Sequence, residues 1–309
     1  MLEGKFKSFS QGSLYIYSME PGMGRLDTIM LSEGKFRYEI ALEDSMTLSV
    51  IFPNFSEIPV FAEVGASASM AGDASNLKEV TVTGTEDNDL MSNFQLEVNK
   101  LSPPEVLKQV GVFVEKHPMS NVSLYLIRKY MLLRPDPDYG TAAKLLAKME
   151  KAAPKWKAVV NLRKEVSALA ATEKDKKVPA FKAVSIDGAT VTQADLSGTV
   201  NVVCAWASWD FDSQSIQRKL KPLKKEYGSR LQIIGICVDA ALKDCRQTMR
   251  RDSITWPTIC DGRMWNTPIM SKLGIGEIPA NMLIDRSGRI LARNLSAGEL
   301  HEKIEKMMK

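Results

Sequence analysis

Trp206-Ala-Ser-Trp-Asp-Phe-Asp-Ser213 follows the apolar run Val202-Val-Cys-Ala205 and leads into Ser213-Gln-Ser-Ile-Gln-Arg-Lys-Leu-Lys-Pro-Leu-Lys-Lys-Glu-Tyr227. The first run reads as a buried strand, the last as an amphipathic helix, and the eight residues between them as a tight loop. A second apolar strand at 231–238 closes a strand–helix–strand unit, which requires parallel pairing and a right-handed crossover. Further strands are expected at 181–185, 281–285 and 290–292, and helices near 213–227, 241–251, 265–273 and 296–308. Asp285-Arg-Ser-Gly288 has the composition of a hairpin turn. Residues 176–309 are therefore expected to form an α/β domain, a mixed sheet flanked on both faces by helices.

Residues 1–100 read differently. Leu14-Tyr-Ile-Tyr17, Leu26-Asp-Thr-Ile-Met-Leu31, Lys35-Phe-Arg-Tyr-Glu-Ile40, Thr47-Leu-Ser-Val-Ile-Phe52 and Glu79-Val-Thr-Val-Thr83 are short, rich in β-branched and aromatic residues, and partly alternating. Pro21-Gly22, Ser32-Glu-Gly34 and Pro53-Asn54 punctuate them, and Gly34 suits a tight hairpin because it tolerates positive φ. The expectation is an all-β, antiparallel sandwich or barrel. Between the two domains, 101–175 reads as a helical connecting segment. From about residue 90 the apolar period is helical, with helices at 91–100, 104–116, 122–133, 139–152 and 155–171. Pro103-Pro104, His117-Pro118, Pro135-Asp-Pro137 and Pro154 separate them. Pro104 fits a first turn, and Asn121 or Asp138 fit N-caps.

The chain has 309 residues, 44% hydrophobic and 25% charged, and a formal net charge of +4. This is the composition of a globular protein with room for two cores, and the charge is too small to imply nucleic acid. No apolar run reaches the length of a membrane span. Residues 141–180 hold ten Lys or Arg against four Asp or Glu; such a run is most simply a solvated face. The first residues lack the basic and apolar regions of a secretion signal. That leaves either a cytosolic protein or one whose targeting segment precedes this sequence.

Cys204, Cys237, Cys245 and Cys260 are the four cysteines, and His117 and His301 the two histidines. No pair has C-x-x-C spacing, so the spacing supports neither a zinc site nor any other metal, and no cofactor is implied. Cys204 and Cys237 lie in strand-like runs, where a thiol acts as a small hydrophobe. Cys245 and Cys260 are expected to be inert but more exposed.

The last 130 or so residues resemble the TlpA/ResA branch of thioredoxin-like proteins, neighbours of the AhpC/TSA group. Val178-Pro-Ala-Phe181, Asp187-Gly188, Leu196-Ser-Gly198, Trp206-Ala-Ser-Trp209, Ile234-Gly-Ile-Cys-Val-Asp239, Trp256-Pro257 and Leu273-Gly-Ile-Gly-Glu-Ile-Pro279 carry the likeness in order. Ile278-Pro279 corresponds to the family's cis-proline. The first 100 residues resemble a β-domain of unknown function found ahead of such domains in Gram-negative envelope proteins. Leu26 to Phe36 and Val82-Thr-Gly-Thr-Glu-Asp-Asn88 carry that match. The resemblance implies a periplasmic or envelope location, with a signal or lipid anchor outside this sequence.

In the family the loop carries Trp-Cys-x-x-Cys. Here Asp210 and Ser213 hold both cysteine positions. Disulfide exchange needs a thiolate and a second sulfur; a carboxylate cannot exchange, and no histidine lies nearby to activate the serine. Asp210, Asp212 and Ser213 are most simply helix-capping residues; a metal site built on Asp210 and Asp212 is a weaker reading. What the resemblance leaves intact is recognition. In active relatives the groove corresponding to that between Trp209 and the Ile278-Pro279 loop holds an extended peptide by backbone hydrogen bonds, which requires no cysteine. Trp209, Phe211, Asp212, Ile278 and Pro279 are the candidate binding residues. The expected function is a redox-inactive protein that binds a protein or peptide. The alternative is a thiol-disulfide oxidoreductase using cysteines outside the motif, such as Cys245 or Cys260.

Overall fold

The computed structural model describes residues 1–18, 20, 23, 26–134 and 137–309. The turn expected at Pro21-Gly22 and the break at Pro135-Asp136 lie outside the described residues. The chain divides into two compact units, Met1–Val160 and Asn161–Lys309.

The first unit opens with β1 (Leu2–Lys7), β2 (Gly12–Tyr17), β3 (Asp27–Leu31), β4 (Lys35–Tyr38), β5 (Met46–Ile51), β6 (Glu57–Ala62), β7 (Ala68–Asp73) and β8 (Thr81–Thr83). Among the described residues these form two four-stranded sheets, β4-β1-β7-β8 and β3-β2-β5-β6. Leu2, Phe6 and Met70 from one sheet and Leu14, Ile16, Leu48 and Val50 from the other share a core, so the unit is a sandwich. It is not wholly antiparallel, because β1 pairs parallel to β7. The chain passes through the other sheet between these strands, giving the long crossover that parallel pairing needs.

Ser32-Glu-Gly34 is the tight turn expected, but it passes the chain from one sheet to the other. Ser32 and Lys35 exchange both backbone hydrogen bonds, at 3.0 and 2.9 Å. Glu33 and Gly34 have φ of 50° and 72°, the signature of a type I′ turn. A Cβ on Gly34 would lie 2.7 Å from the Phe6 carbonyl oxygen.

Helices α1 (Glu86–Val98), α2 (Pro103–Lys116), α3 (Asn121–Ile127) and α4 (Tyr139–Ala152) belong to the same unit as these strands. α5 (Lys157–Ala171) runs across the division. α1 starts five residues ahead of the expected 91 because Thr85 caps it, with Glu86, Asp87 and Asp89 in its first turn favoured by the helix dipole. Ser120, not Asn121, caps α3 by accepting from the Val122 N–H at 3.1 Å. Asp138 caps α4, accepting from the Thr141 N–H at 2.9 Å. The helix expected over 122–133 is α only to Ile127, and Arg128–Leu132 continues it as a π-helical turn.

The second unit contains β9 (Lys182–Val184), β10 (Thr190–Thr192), β11 (Val200–Trp206), α6 (Phe211–Tyr227), β12 (Leu231–Cys237), α7 (Leu242–Asp252), β13 (Thr258–Ile259), α8 (Pro268–Lys272), β14 (Ala280–Asp285), β15 (Ile290–Arg293) and α9 (Ala297–Met308). Its main sheet has the order β13-β12-β11-β14-β15. β11, β12 and β13 run parallel, and β14 and β15 are antiparallel additions. Alternate residues of β11 face opposite cores. Val200, Val202, Cys204 and Trp206 pack with Ile216, Leu220 and Leu300 of α6 and α9. Val203 and Ala205 pack with Ile269 and Met270 of α8. Helices therefore cover both faces.

Candidate functional site

The 206–213 turn sits where β11 gives way to α6. Asp210 is the N-cap of α6, and its Oδ1 accepts from the Ser213 N–H at 2.7 Å. The carboxylate thus occupies the field of free N–H groups and helix dipole that would otherwise lower the pKa of a thiol. Gln214 Nε2 donates to the Ser208 carbonyl at 2.8 Å, tying the first turn of the helix back to the loop. The Ser208 N–H in turn donates to Asp239 Oδ1 at 2.9 Å.

The residues of this loop divide sharply by exposure. Trp206 is buried, whereas Trp209 and Phe211 are 62% and 69% exposed. Arg218 lies over the Phe211 ring at 5.8 Å. Asp212 is exposed in the first turn of α6. Ser213 is wholly buried, and its Oγ has no hydrogen-bond partner. One helical turn on, Gln217 is also buried, and its Nε2 donates to Cys204 Sγ at 3.6 Å. Ser213, Gln217 and Cys204 thus make a buried polar column beneath the loop, with no carboxylate or histidine among them. Burial pushes the Cys204 thiol up to about 12, despite the Gln217 hydrogen bond, which lowers it.

The Ile278–Pro279 peptide bond is cis. The antiparallel register of β11 and β14 ends at Ala205↔Ala280, so the chain enters β14 through Pro279 at the end of β11 from which the loop departs. Ile278 and Pro279 are half-buried. The turn residues and the cis-proline segment are thus gathered at one end of the sheet.

Cys204 and Cys237 are buried in strands as expected, whereas Cys245 and Cys260 depart from expectation. All four are free thiols and all are buried, including Cys245 at 0% and Cys260 at 4% exposure. Cys204 and Cys237 sit on neighbouring parallel strands, and Cys204 pairs in register with Gly235. The Sγ atoms of Cys237, Cys245 and Cys260 lie within 4.8 Å of one another. Sequence spacing contains no trace of this cluster. It also displaces the acidic pair as the metal candidate, since Asp210 is engaged in capping and Asp212 points to solvent. Within the cluster, hydrogen bonds from Cys237 and Cys245, with one from the Gly262 backbone, hold the Cys260 thiol low. Hydrogen bonding to its two neighbours, then burial, raises Cys237. Three thiols in contact titrate as one system.

Parallel β11, β12 and β13, two antiparallel strands, and a helix opening beside a cis-proline segment together define a thioredoxin-like fold. Residues 175–293 are a domain of the AhpC/TSA family, and residues 1–91 match a domain of unknown function (DUF4369). No curated protein matches the chain. Among solved structures, it is similar to the C-terminal domain of a provisionally assigned thiol-disulfide oxidoreductase from Bacteroides thetaiotaomicron. That match has 28% identity and a TM-score of 0.40, over 44% of this chain and 96% of that one. A thiol-disulfide oxidoreductase from Bacteroides fragilis matches at 24% identity and a TM-score of 0.39, over 43% and 99% of the two chains. The thioredoxin domain of a thiol-disulfide oxidoreductase from Bacteroides vulgatus matches at 19% identity and a TM-score of 0.40, over 44% and 99%.

Proposed function

We propose that this protein is a redox-inactive thioredoxin-like protein of the cell envelope that binds a protein or extended peptide through Trp209, Phe211 and the Ile278-Pro279 segment. The observation that carries the reading is the exposure of two large aromatics, 62% and 69%, on either side of a carboxylate already engaged in capping. Exposed aromatics are what an interface anchor requires. They are not what a nucleophile requires, and no sulfur lies in the loop. Exchange by Cys245 or Cys260 would need a disulfide to reach thiols that the core encloses.

The test has two arms. Envelope extract is passed over the wild type and over Trp209→Ala, and both proteins are assayed for insulin reduction with dithiothreitol. A partner retained by the wild type and lost by the variant, with no turnover from either, is the expected outcome. Trp209→Ala should change stability by no more than about 0.5 kcal/mol, because the side chain is exposed. Turnover comparable to an active relative would overturn the reading. An alkylating probe should label no cysteine in the native protein and all four after unfolding.

A further inference from the structure

Cys237 ends β12, Cys260 directly follows β13, and Cys245 lies in the first half of α7. The parallel register of β12 and β13 runs through Ile236↔Ile259, so Cys237 and Cys260 emerge side by side. Cys245 is turned onto the same core, and one helical turn later Met249 packs there too. Cys245 Sγ lies 3.9 Å from Met249 Sδ. Three buried thiols, drawn from three elements, thus meet in the core, with a half-buried thioether beside one of them.

We propose that Cys237, Cys245 and Cys260 bind a monovalent copper ion, with Met249 as an adjacent soft donor. An ion held about 2.3 Å from each of three thiolates in a plane needs sulfurs about 4 Å apart. The three Sγ atoms already lie within 4.8 Å of one another, so side-chain adjustment is enough to close the site. Ligand type and number select the metal. Zinc closes a tetrahedron with a fourth imidazole, carboxylate or thiolate; among the described residues the cluster offers three cysteines and no such fourth member. Two further donors lie 3.9 Å from the thiols, Met249 Sδ beside Cys245 and the Asp239 carbonyl oxygen beside Cys260; of these the thioether is the soft one, and with thiolates it selects Cu⁺. Each ligating thiol exchanges its proton for the metal, and those protons leave to solvent. No electron is transferred, since copper enters and remains as Cu⁺. The surrounding core, including Trp256 and Ile254, shields the ion from water and oxygen.

The test uses the full chain, reduced and kept free of oxygen. Cu⁺, supplied as its acetonitrile complex, is titrated against the chromogenic chelator bicinchoninate, and copper K-edge absorption reads the ligands. Expected are one Cu⁺ withheld per chain and a shell of sulfur alone. Cys245→Ala and Cys260→Ala should lose stoichiometric binding, Met249→Leu should weaken it by about ten- to a hundredfold, and Cys204→Ala should retain it. A wild type that leaves all copper with the chelator, or shows nitrogen or oxygen in the copper shell, would overturn the proposal. So would Zn²⁺ displacing Cu⁺ at equal concentration. The wild-type spectrum decides the question even where a cysteine variant fails to fold.

Discussion

Position 210, where the resemblance to thioredoxin-like proteins would place a cysteine, holds an aspartate that caps α6, a residue type its location favours for stability. A helix N-terminus attracts an anion, and an aspartate supplies both charge and a cap. Asp210→Ala should therefore cost about 0.5–2 kcal/mol in urea denaturation. The pair Asp210→Cys and Ser213→Cys places two sulfurs at the helix end at the expense of the Asp210 cap, and the double variant should acquire insulin-reducing turnover. If it does not, the column of Ser213, Gln217 and Cys204 beneath the loop has also lost the capacity to support exchange. Cys204 leaves its own mark on pH dependence. Its thiol ionises near 12 when folded but at about 8.5 in an unfolded chain. Between those values the unfolded state has released a proton that the folded state keeps, so stability falls as pH rises through this window, by about 1.4 kcal/mol per unit. Below it the contribution is fully present. Denaturation midpoints measured from about pH 8 to 11 should fall less steeply for Cys204→Ala than for the wild type.

At the scale of elements, local signals mark most strands and helices but not how they dock. β6 and β7 escape sequence reading for clear reasons. Glu57-Ile-Pro-Val-Phe-Ala62 contains a proline and is buried at four consecutive positions, so it shows no alternation. Ala68-Ser-Met-Ala-Gly-Asp73 is poor in β-branched residues. α1 solves the problem that β6 creates as the edge of its sheet. The Asn88 side chain accepts from the Phe61 N–H at 2.8 Å and donates to the Phe61 carbonyl at 2.9 Å, completing the edge as a further strand would. Asn88 is fully buried, so Asn88→Ala would strand the Phe61 N–H and leave its carbonyl only the longer 3.3 Å bond from Thr85 Oγ1. A loss of about 2–4 kcal/mol is expected in chemical denaturation, well above that of an exposed substitution in the same helix.

At the scale of the molecule, each unit holds its own apolar core, the first between two sheets and the second on both faces of a mixed sheet. A fragment beginning ahead of α5 and ending at Lys309 should fold alone, with a single cooperative transition in circular dichroism; a non-cooperative melt would contradict this. The α/β order, the thioredoxin-like frame and the presence of Asp210 and Ser213 in the turn after β11 are legible in the sequence, because they rest on apolar period, turn residues and a short contiguous stretch. Those are properties of neighbours along the chain. The meeting of Cys237, Cys245 and Cys260, the burial of Cys245, and the clasp of Asn88 on Phe61 are not legible in that way. Each depends on where separate elements come to lie in space, and the packing of a sheet against its helices brings together side chains whose spacing along the chain carries no mark of the contact.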